Sequence, residues 1–163
     1  MTRTSPSYRS SGVLYDILDS FKRLAQKEAT KTMKAVRFVN EVIKSRGESA
    51  YVWEEKDCLR ALVVEGLGTK NLVADETRTI TGKTYYGAIA QDTVAMIVND
   101  LIVVGAVPQV INAYFAVGDS HWFSDKKRVN DLVKGWAHAC IQAGAVWGGG
   151  ETPTLTNIIA AGR

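Results

Sequence analysis

Three short segments of the sequence combine glycines with charged side chains, a combination typical of sites that bind phosphates or metal ions. The first, Glu-Gly-Leu-Gly-Thr-Lys at residues 65–70, follows an apolar stretch. Gly66 and Gly68 permit positive φ and let a ligand approach the backbone. Lys70 can neutralise phosphate charge, and Glu65 can hold a hard cation through oxygen. Since the phosphate-binding GxxxxGK[ST] spacing is absent, a phosphate site and a simple strand-end turn both stay open.

The second segment, residues 86–104, is mostly apolar but carries polar side chains at helical intervals. Asp92 and Asn99 are seven residues apart, so two turns bring them to nearly one face. Asp100 lies roughly 80° further round, where we expect it to remain a neighbour of Asp92. The pattern predicts either a hydrogen-bonded network inside the core or a Mg²⁺ site in which these oxygens bridge metal and phosphate.

The third segment, residues 148–152, reads Gly-Gly-Gly-Glu-Thr. Consecutive glycines after a short strand can form a nest of backbone N–H groups that binds an anion, and Glu151 could serve as a metal ligand or base. A glycine run alone is more typical of a flexible turn. The argument for a site is that three segment ends each carry glycine and a carboxylate.

The elements that would position these segments follow from apolar periodicity and from breakers. Strands that alternate with helices favour an α/β (α+β) fold, with one mixed sheet of about four strands covered by helices. The strand at 109–117 carries Ile111, Tyr114 and Phe115, which is more apolar surface than an open sheet edge usually exposes. This pattern predicts a homodimer. The expected helices are 13–27, 29–44, 86–104 and a further long helix from the cap Ser124 to Gly144. The expected strands are 59–65 (buried), 109–117 and 145–147, with a final apolar piece at 158–161. The expected loops are 45–56 and 76–84.

Composition is ordinary for a globular protein of one domain: 163 residues, 46% hydrophobic and 23% charged. A net charge of +3 is too small to indicate nucleic-acid binding, and the basic run 126–128 is typical of a solvated surface. Two cysteines without a metal-binding pattern indicate free thiols in a reducing compartment. Polar residues interrupt the apolar stretch 93–117, which argues against a membrane span. We therefore expect a cytoplasmic protein.

The motifs together resemble the N-terminal domain of aminoimidazole ribonucleotide synthetase, also called phosphoribosylformylglycinamidine cyclo-ligase. That family has Asp-Gly-Val-Gly-Thr-Lys where this chain has residues 65–70, and its Gln/Ile-Asp-x-x-Ala-Met-x-x-Asn-Asp-Leu matches residues 91–101 throughout. Its Gly-Ala-x-Pro, Gly-Gly-Glu-Thr and N-terminal Tyr-x-x-x-Gly-Val match residues 105–108, 149–152 and 8–13. The matches run in order across nearly the whole chain.

The resemblance implies a fold, an activity and partners. The pattern along the chain predicts a mobile arm at 1–11. The resemblance implies an ATP-binding domain at 12–163 and a mixed sheet that pairs with that of a second subunit into a barrel-like dimer interface. The implied reaction is ATP- and Mg²⁺-dependent ring closure of formylglycinamidine ribonucleotide in purine biosynthesis. The formyl oxygen is phosphorylated, an internal nitrogen attacks, and phosphate leaves. Family members carry a second domain of similar size, so the chain looks like an N-terminal domain or fragment.

The resemblance also implies roles for particular residues. Glu65, Asp92 and Asp100 would be metal ligands. Lys70 and Glu151 would be catalytic, with charge neutralisation by Mg²⁺ and lysine as the expected source of rate. The residues expected to bind the nucleotide are Gly66, Gly68, Thr69, Lys70, Asn99, Gly148, Gly149, Gly150 and Thr152.

The sequence departs from the family pattern in three places. Glutamate replaces aspartate at position 65; the family's Gly-Gly-Phe-Gly segment is missing from 45–57, where Gly47 is the single glycine; and 153–156 replaces Met-Pro-Gly. Two other functions therefore stay open. One is another enzyme of the same ATP-binding superfamily, such as thiamine monophosphate kinase or selenophosphate synthetase. The other is a non-catalytic dimerisation or regulatory module with this fold.

Overall fold

The computed structural model of the chain describes residues 8, 10 and 12–163. The predicted arm, 1–11, lies outside the described residues except at Tyr8 and Ser10. The described part mixes helices and strands, which confirms the coarse α/β class. Its helices are α1 (Tyr15–Thr32), α2 (Lys70–Thr81), α3 (Tyr86–Val103) and α4 (Lys126–Gln142); its strands are β1 (Asn40–Glu41), β2 (Tyr51–Glu55), β3 (Cys58–Leu62), β4 (Val110–Tyr114) and β5 (Val146–Glu151).

The strands form two small sheets, so the prediction of one mixed sheet of about four strands is wrong. One sheet is antiparallel in the order β1-β2-β3, and the other is the parallel pair β4-β5. A parallel pair needs a long crossover, and α4 supplies it. The hairpin between β2 and β3 closes through Lys56, which has a left-handed φ of 53°.

The core lies where α3 and α4 pack together against β4. On β4, Ile111 and Ala113 are buried while their neighbours face outward, the period of two expected for a strand with one covered face. The two helices approach closely where Gly135 meets Gly87: a Cβ added to Gly135 would lie 2.6 Å from the Cα of Gly87. The buried cluster is Ala74, Tyr86, Ala90, Val94, Ile111, Ala113, Val117, Trp122, Leu132, Trp136, Ala139 and Cys140.

Helix α4 is capped by Asp125, not by Ser124 as predicted. The Asp125 carboxylate accepts the backbone N–H of Arg128 at 3.2 Å and pairs with the guanidinium of Arg78 on α2 at 2.5 Å. Asp125 therefore both starts α4 and fastens α2 to it. A carboxylate satisfies the orphan N–H groups of the first turn as well as a hydroxyl does.

Arg128 is largely buried, so the interpretation of the run 126–128 as a solvated surface is wrong at this position. Its guanidinium lies over the Trp122 ring at 4.0 Å and donates to the Trp122 carbonyl at 2.9 Å. It also faces Asp75 of α2 at 3.7 Å. Tyr86 donates its hydroxyl to the same aspartate at 3.1 Å, and burial, followed by the Asp75 charge, raises the pKa of Tyr86. These contacts hold α2 against α3 and α4.

Three of the predicted elements are wrong, and a fourth differs in its burial. The loop at 76–84 belongs mostly to α2, and the loop at 45–56 contains β2. The helix at 29–44 does not form: its first residues continue α1, which ends at Thr32, and the remainder makes two short 3₁₀ turns and β1. The strand predicted as buried at 59–65 is β3, which is mostly exposed.

Apolar side chains are exposed on one face of the β1-β2-β3 sheet. Tyr51 pairs with Leu62 across β2 and β3, and both lie on the face that also carries Trp53. Ile111 and Phe115 pack into or against the core instead, and Tyr114 alone of the predicted trio is strongly exposed. Within the described residues, no helix has the length and apolar character needed to cross a bilayer.

Candidate functional site

The loop at 65–69 leaves β3 and leads directly into α2, whose first residue is Lys70. Gly68 adopts a φ of 71°, the left-handed conformation that glycine accepts without strain. The Glu65 carboxylate accepts its neighbour's N–H, from Gly66, at 3.0 Å. The loop lines a cavity of 490 Å³ together with residues of α3 and β4. It is thus a strand-to-helix connection at the rim of a cavity, as a ligand-binding loop would be.

Lys70 and Asp92 meet across the gap between α2 and α3. The lysine Nζ lies 2.5 Å from the Asp92 carboxylate, and it also lies 3.6 Å from the sulfur of Met96, one turn further along α3. Both charged side chains are half exposed. The predicted phosphate-binding lysine is therefore held by the predicted acid of α3 and remains open to solvent.

Glu65 and Asp100 form a second pair of charged residues, near the C-terminal end of α3. Burial raises the pKa of Asp100, and a hydrogen bond to Glu65 and the charge of that carboxylate raise it further. The two carboxylates therefore lie near each other, and their like charges disfavour the doubly ionised state. The main chain of Asp100 is also fixed, because Ser49 donates its hydroxyl to the Asp100 carbonyl at 2.8 Å.

The three predicted metal ligands therefore lie in two places. Asp92 and Asp100 are eight residues apart on one continuous helix, which separates them by about 12 Å. The expectation that Asp100 neighbours Asp92 is wrong, since one Mg²⁺ binds its ligands at about 2.1 Å. Within the described ranges, no group of three or more acidic, histidine or cysteine side chains is arranged to hold a metal ion. Asn99 is exposed beside Asp100.

The glycine run does not form an anion-binding nest. Gly148, Gly149 and Gly150 lie within β5, where Gly149 pairs with Asn112 and Gly150 with Ala113 of β4. A Cβ on Gly150 would sit 1.8 Å from the Ala113 carbonyl oxygen, so close packing against β4 requires glycine there. Gly148 is restricted as well, because its added Cβ would lie 2.6 Å from a methyl group of Val110, whereas a Cβ on Gly149 would meet no atom within 4 Å.

Glu151 and Thr152 follow the glycines at the end of β5. They line a separate cavity of 450 Å³ with Phe115, Phe123 and Trp147, and none of residues 65–70 contributes to it. The structure therefore brings together Lys70 with Asp92 and Glu65 with Asp100, and leaves Glu151 apart from both pairs.

Two positions near the site carry signals that sequence reasoning missed. Tyr85, directly before α3, has a left-handed φ of 58°, which is uncommon for a bulky residue. Arg128 on α4 holds α2 in place through its ion pair with Asp75. Tyr85 could have been noticed as one of two consecutive tyrosines before a helix, of which at most one can face the core. Nothing in the sequence separated Arg128 from the lysines beside it.

The side chains present fit a divalent cation and phosphate. The Glu65–Asp100 pair offers oxygen ligands, which Mg²⁺ prefers, and a cation between them would relieve the repulsion of their like charges. Lys70 offers a solvent-accessible ammonium at the start of a helix, where backbone N–H groups also favour an anion. Both fits rest on charge and donor type.

Comparison with known proteins identifies the family. Residues 47–162 match the model of the AIR synthase related protein, N-terminal domain. A phosphoribosylformylglycinamidine cyclo-ligase of Chromobacterium violaceum is 34% identical over 168 residues, covering 100% of this chain and 44% of the relative. Its counterpart from Caldanaerobacter subterraneus is 32% identical over 159 residues, covering 96% and 43%.

A yeast relative, the bifunctional purine biosynthetic protein ADE5,7 of Saccharomyces cerevisiae, is 36% identical over 110 residues, covering 68% of this chain and 12% of its own length. The chain thus spans less than half the length of these relatives. The family predicted from the motifs is confirmed: the chain belongs to the AIR synthase related family, and it matches the N-terminal domain of that family.

Proposed function

We propose that the chain is the ATP-binding N-terminal domain of a phosphoribosylformylglycinamidine cyclo-ligase, acting in purine biosynthesis on formylglycinamidine ribonucleotide. The observation that carries the proposal is the Lys70–Asp92 pair at 2.5 Å, which joins the 65–70 loop to the acidic helix α3. The names of the relatives give the reaction class. The cytoplasmic location and the ribonucleotide substrate belong to the same proposal.

Lys70 would bind and orient the phosphates of ATP. In the free protein its charge is partnered by Asp92, and both side chains are accessible. A phosphate group would compete for the lysine, because a charge-assisted hydrogen bond to phosphate is at least as strong as an exposed ion pair. Asp92 would then be free to accept a cation or a ligand hydroxyl.

Glu65 and Asp100 would hold Mg²⁺, with Asn99 beside them. The raised pKa of Asp100 reflects burial and the facing carboxylate, and a divalent cation relieves that repulsion. When bound, Mg²⁺ neutralises phosphate charge and so favours phosphoryl transfer. Asp92 and Asp100 serve different parts of the ligand in this arrangement, because the helix separates them by about 12 Å.

A homodimer built on the β1-β2-β3 sheet is part of the proposal. One face of the sheet carries Tyr51, Trp53 and Leu62, of which Tyr51 and Leu62 are exposed, and the β4-β5 sheet does not continue it. Exposed strand edges with apolar faces are prone to pair with another chain. A second copy would also bring a second set of loops to the site, including the Glu151 region that stands apart within one copy.

Asp92→Asn tests the nucleotide site. The change keeps the side-chain volume and removes the carboxylate that would accept a cation once phosphate occupies Lys70. We therefore expect the fold to persist and Mg²⁺-dependent binding of a non-hydrolysable ATP analogue to be lost or to weaken at least tenfold. Titration calorimetry measures the affinity, and far-UV circular dichroism verifies the fold.

Asp57→Asn is the matched control, because Asp57 sits in the exposed turn between β2 and β3. It should bind the analogue as the wild type does. Equal affinity in Asp92→Asn and wild type would contradict the role of Asp92, and a wild-type chain that binds no Mg²⁺–nucleotide would contradict the proposed function itself.

A further inference from the structure

Helix α1 is amphipathic, yet its apolar side chains point away from the rest of the domain. None of its eighteen residues, all of which the structure describes, is buried. Ile17, Phe21 and Leu24 keep 64%, 68% and 58% of their surface exposed. They are spaced by four and three residues, so they share one side of the helix. An ordinary surface helix turns such a side toward the core.

The polar side of α1 faces the domain instead. Gln26 reaches Gly47, where an added Cβ would lie 2.8 Å from the amide nitrogen of the Gln26 side chain. Just beyond the end of the helix, Tyr51 of β2 donates its hydroxyl to the sulfur of Met33 at 2.9 Å. Ile17 lies about 180° round the helix from Gln26, because nine residues separate them. The apolar side therefore faces solvent.

The segment that contains most of this helix also concentrates the positive charge of the chain. Residues 20–37 hold six basic side chains and one acidic side chain, a net charge of +5, whereas the whole chain carries +3. Lys27 and Lys31 follow Leu24 by three and seven residues, which places them beside the apolar side. Lys31 pairs with Glu28 at 2.6 Å, but both side chains are more than half exposed, so the pair is weak.

We propose that α1 is an interfacial helix that binds an anionic lipid surface, with Ile17, Phe21 and Leu24 inserted below the headgroups and the lysines at headgroup level. A basic helix with aromatic and aliphatic side chains on one side lies in the plane of such an interface. Lysine side chains are long enough to keep their stems in apolar surroundings and their ammonium groups among the headgroups. Such a helix needs neither the length nor the apolar character of a membrane span.

Two observations favour a lipid surface over a second copy of the chain as the occupant of this side. A stable protein interface buries about 800 Å² on each partner, which is more than three side chains on one helix provide. A second copy would also bring another segment with a net charge of +5 to the same place, and like charges repel. An anionic lipid surface attracts the same charges.

Cosedimentation of the chain with lipid vesicles tests the inference. The chain should bind vesicles of phosphatidylcholine with about one quarter phosphatidylglycerol, and about tenfold more weakly vesicles of phosphatidylcholine alone. Added salt should weaken the binding to anionic vesicles. Phe21→Ser removes apolar area and should weaken that binding about tenfold, and Lys27→Gln removes one charge and should weaken it about fivefold. Both positions are exposed, so the melting temperature should stay nearly unchanged.

Ile80→Ser and Lys83→Gln are the matched controls, because they remove an exposed apolar side chain of α2 and an exposed lysine just after that helix. Both should bind anionic vesicles as the wild type does. A wild-type chain that binds neither kind of vesicle, or both kinds equally, contradicts the inference, and so does wild-type binding by Phe21→Ser. If Phe21→Ser lowers the mass measured by sedimentation equilibrium, a second copy covers the apolar side and the inference fails.

Discussion

The Lys70–Asp92 ion pair fixes the positions of two charged side chains but contributes little to the free energy of folding. Both side chains are half exposed, and pairs of this kind are worth about 0–1 kcal/mol. The pair therefore leaves its charges available to a ligand. Glu65 and Asp100 show the opposite situation. Burial, together with the proximity of Glu65, raises the pKa of Asp100 and disfavours the doubly ionised state in the free protein.

Gly150→Ala tests whether the glycine run has a steric role. Its added Cβ would overlap the Ala113 carbonyl, so we expect the free energy of unfolding to fall by about 3 kcal/mol, the upper range for overpacking. Urea denaturation measures the change. Gly66→Ala is the control, since a Cβ there meets no atom within 4 Å. Unchanged stability of Gly150→Ala together with weaker anion binding would contradict the steric role and favour an anion-binding nest.

At the scale of elements, Asp125 connects two helices that the site depends on. Replacing it by alanine removes the α4 cap and the partner of Arg78, for an expected loss of about 1–2 kcal/mol at neutral pH. Ser124→Ala, at the residue that the sequence favoured as the cap, should be nearly neutral. Urea denaturation of both variants compares the two positions, and equal losses would contradict the assignment.

The stability lost in Asp125→Ala should depend on pH. The hydrogen bond from Arg78, aided by the N–H of Arg128 and by nearby positive charge, holds the pKa of Asp125 below its usual range against burial, which raises it. A depressed folded-state pKa means that the stabilisation is present above the unfolded pKa, about 3.9, and is lost as pH falls through the folded value. The difference between wild type and Asp125→Ala should therefore shrink on acidification.

The sequence predicted α3, α4 and β4 because each has a regular apolar period and a recognisable end. Gly105, with φ of 77°, follows α3 as expected for a helix-terminating glycine. Helix α2 was missed because its second half is rich in threonine, which has weak helix propensity. Its stability comes instead from tertiary contacts, through the buried Ala74 and the Arg78–Asp125 pair, which no local pattern contains.

The sequence indicated charged residues as candidates for the site but did not predict how they are arranged. Lys70 and Asp92 do meet, and so do Glu65 and Asp100. They divide into two pairs because α3 rises along its axis between Asp92 and Asp100, so that residues at similar angles around a helix can still be far apart along it. The glycines of β5 were misread because a strand that packs tightly on its neighbour and a loop that binds an anion both require glycine.

For the whole molecule, the exposed apolar sheet face is the feature that most needs a partner. Leu62→Asp places a charge on that face, and sedimentation equilibrium at on the order of tens of micromolar should change from dimer in the wild type to monomer in the variant. Ile141→Asp is the control, because Ile141 is exposed on α4 away from the sheet. A monomeric wild type, or a Leu62→Asp variant that still dimerises, would contradict the proposed interface.

The central claim, that the 65–70 loop binds the phosphates of a nucleotide, is tested most directly by Lys70→Gln. Titration calorimetry with Mg²⁺–ATP should show binding weakened by about 1.5–3 kcal/mol, the range for a charge-assisted hydrogen bond. The melting temperature without ligand should be nearly unchanged, because the lysine is half exposed. Unaltered affinity in Lys70→Gln, combined with a destabilised Gly68→Ala, would mean that the loop is only a turn and that the nucleotide site is wrong.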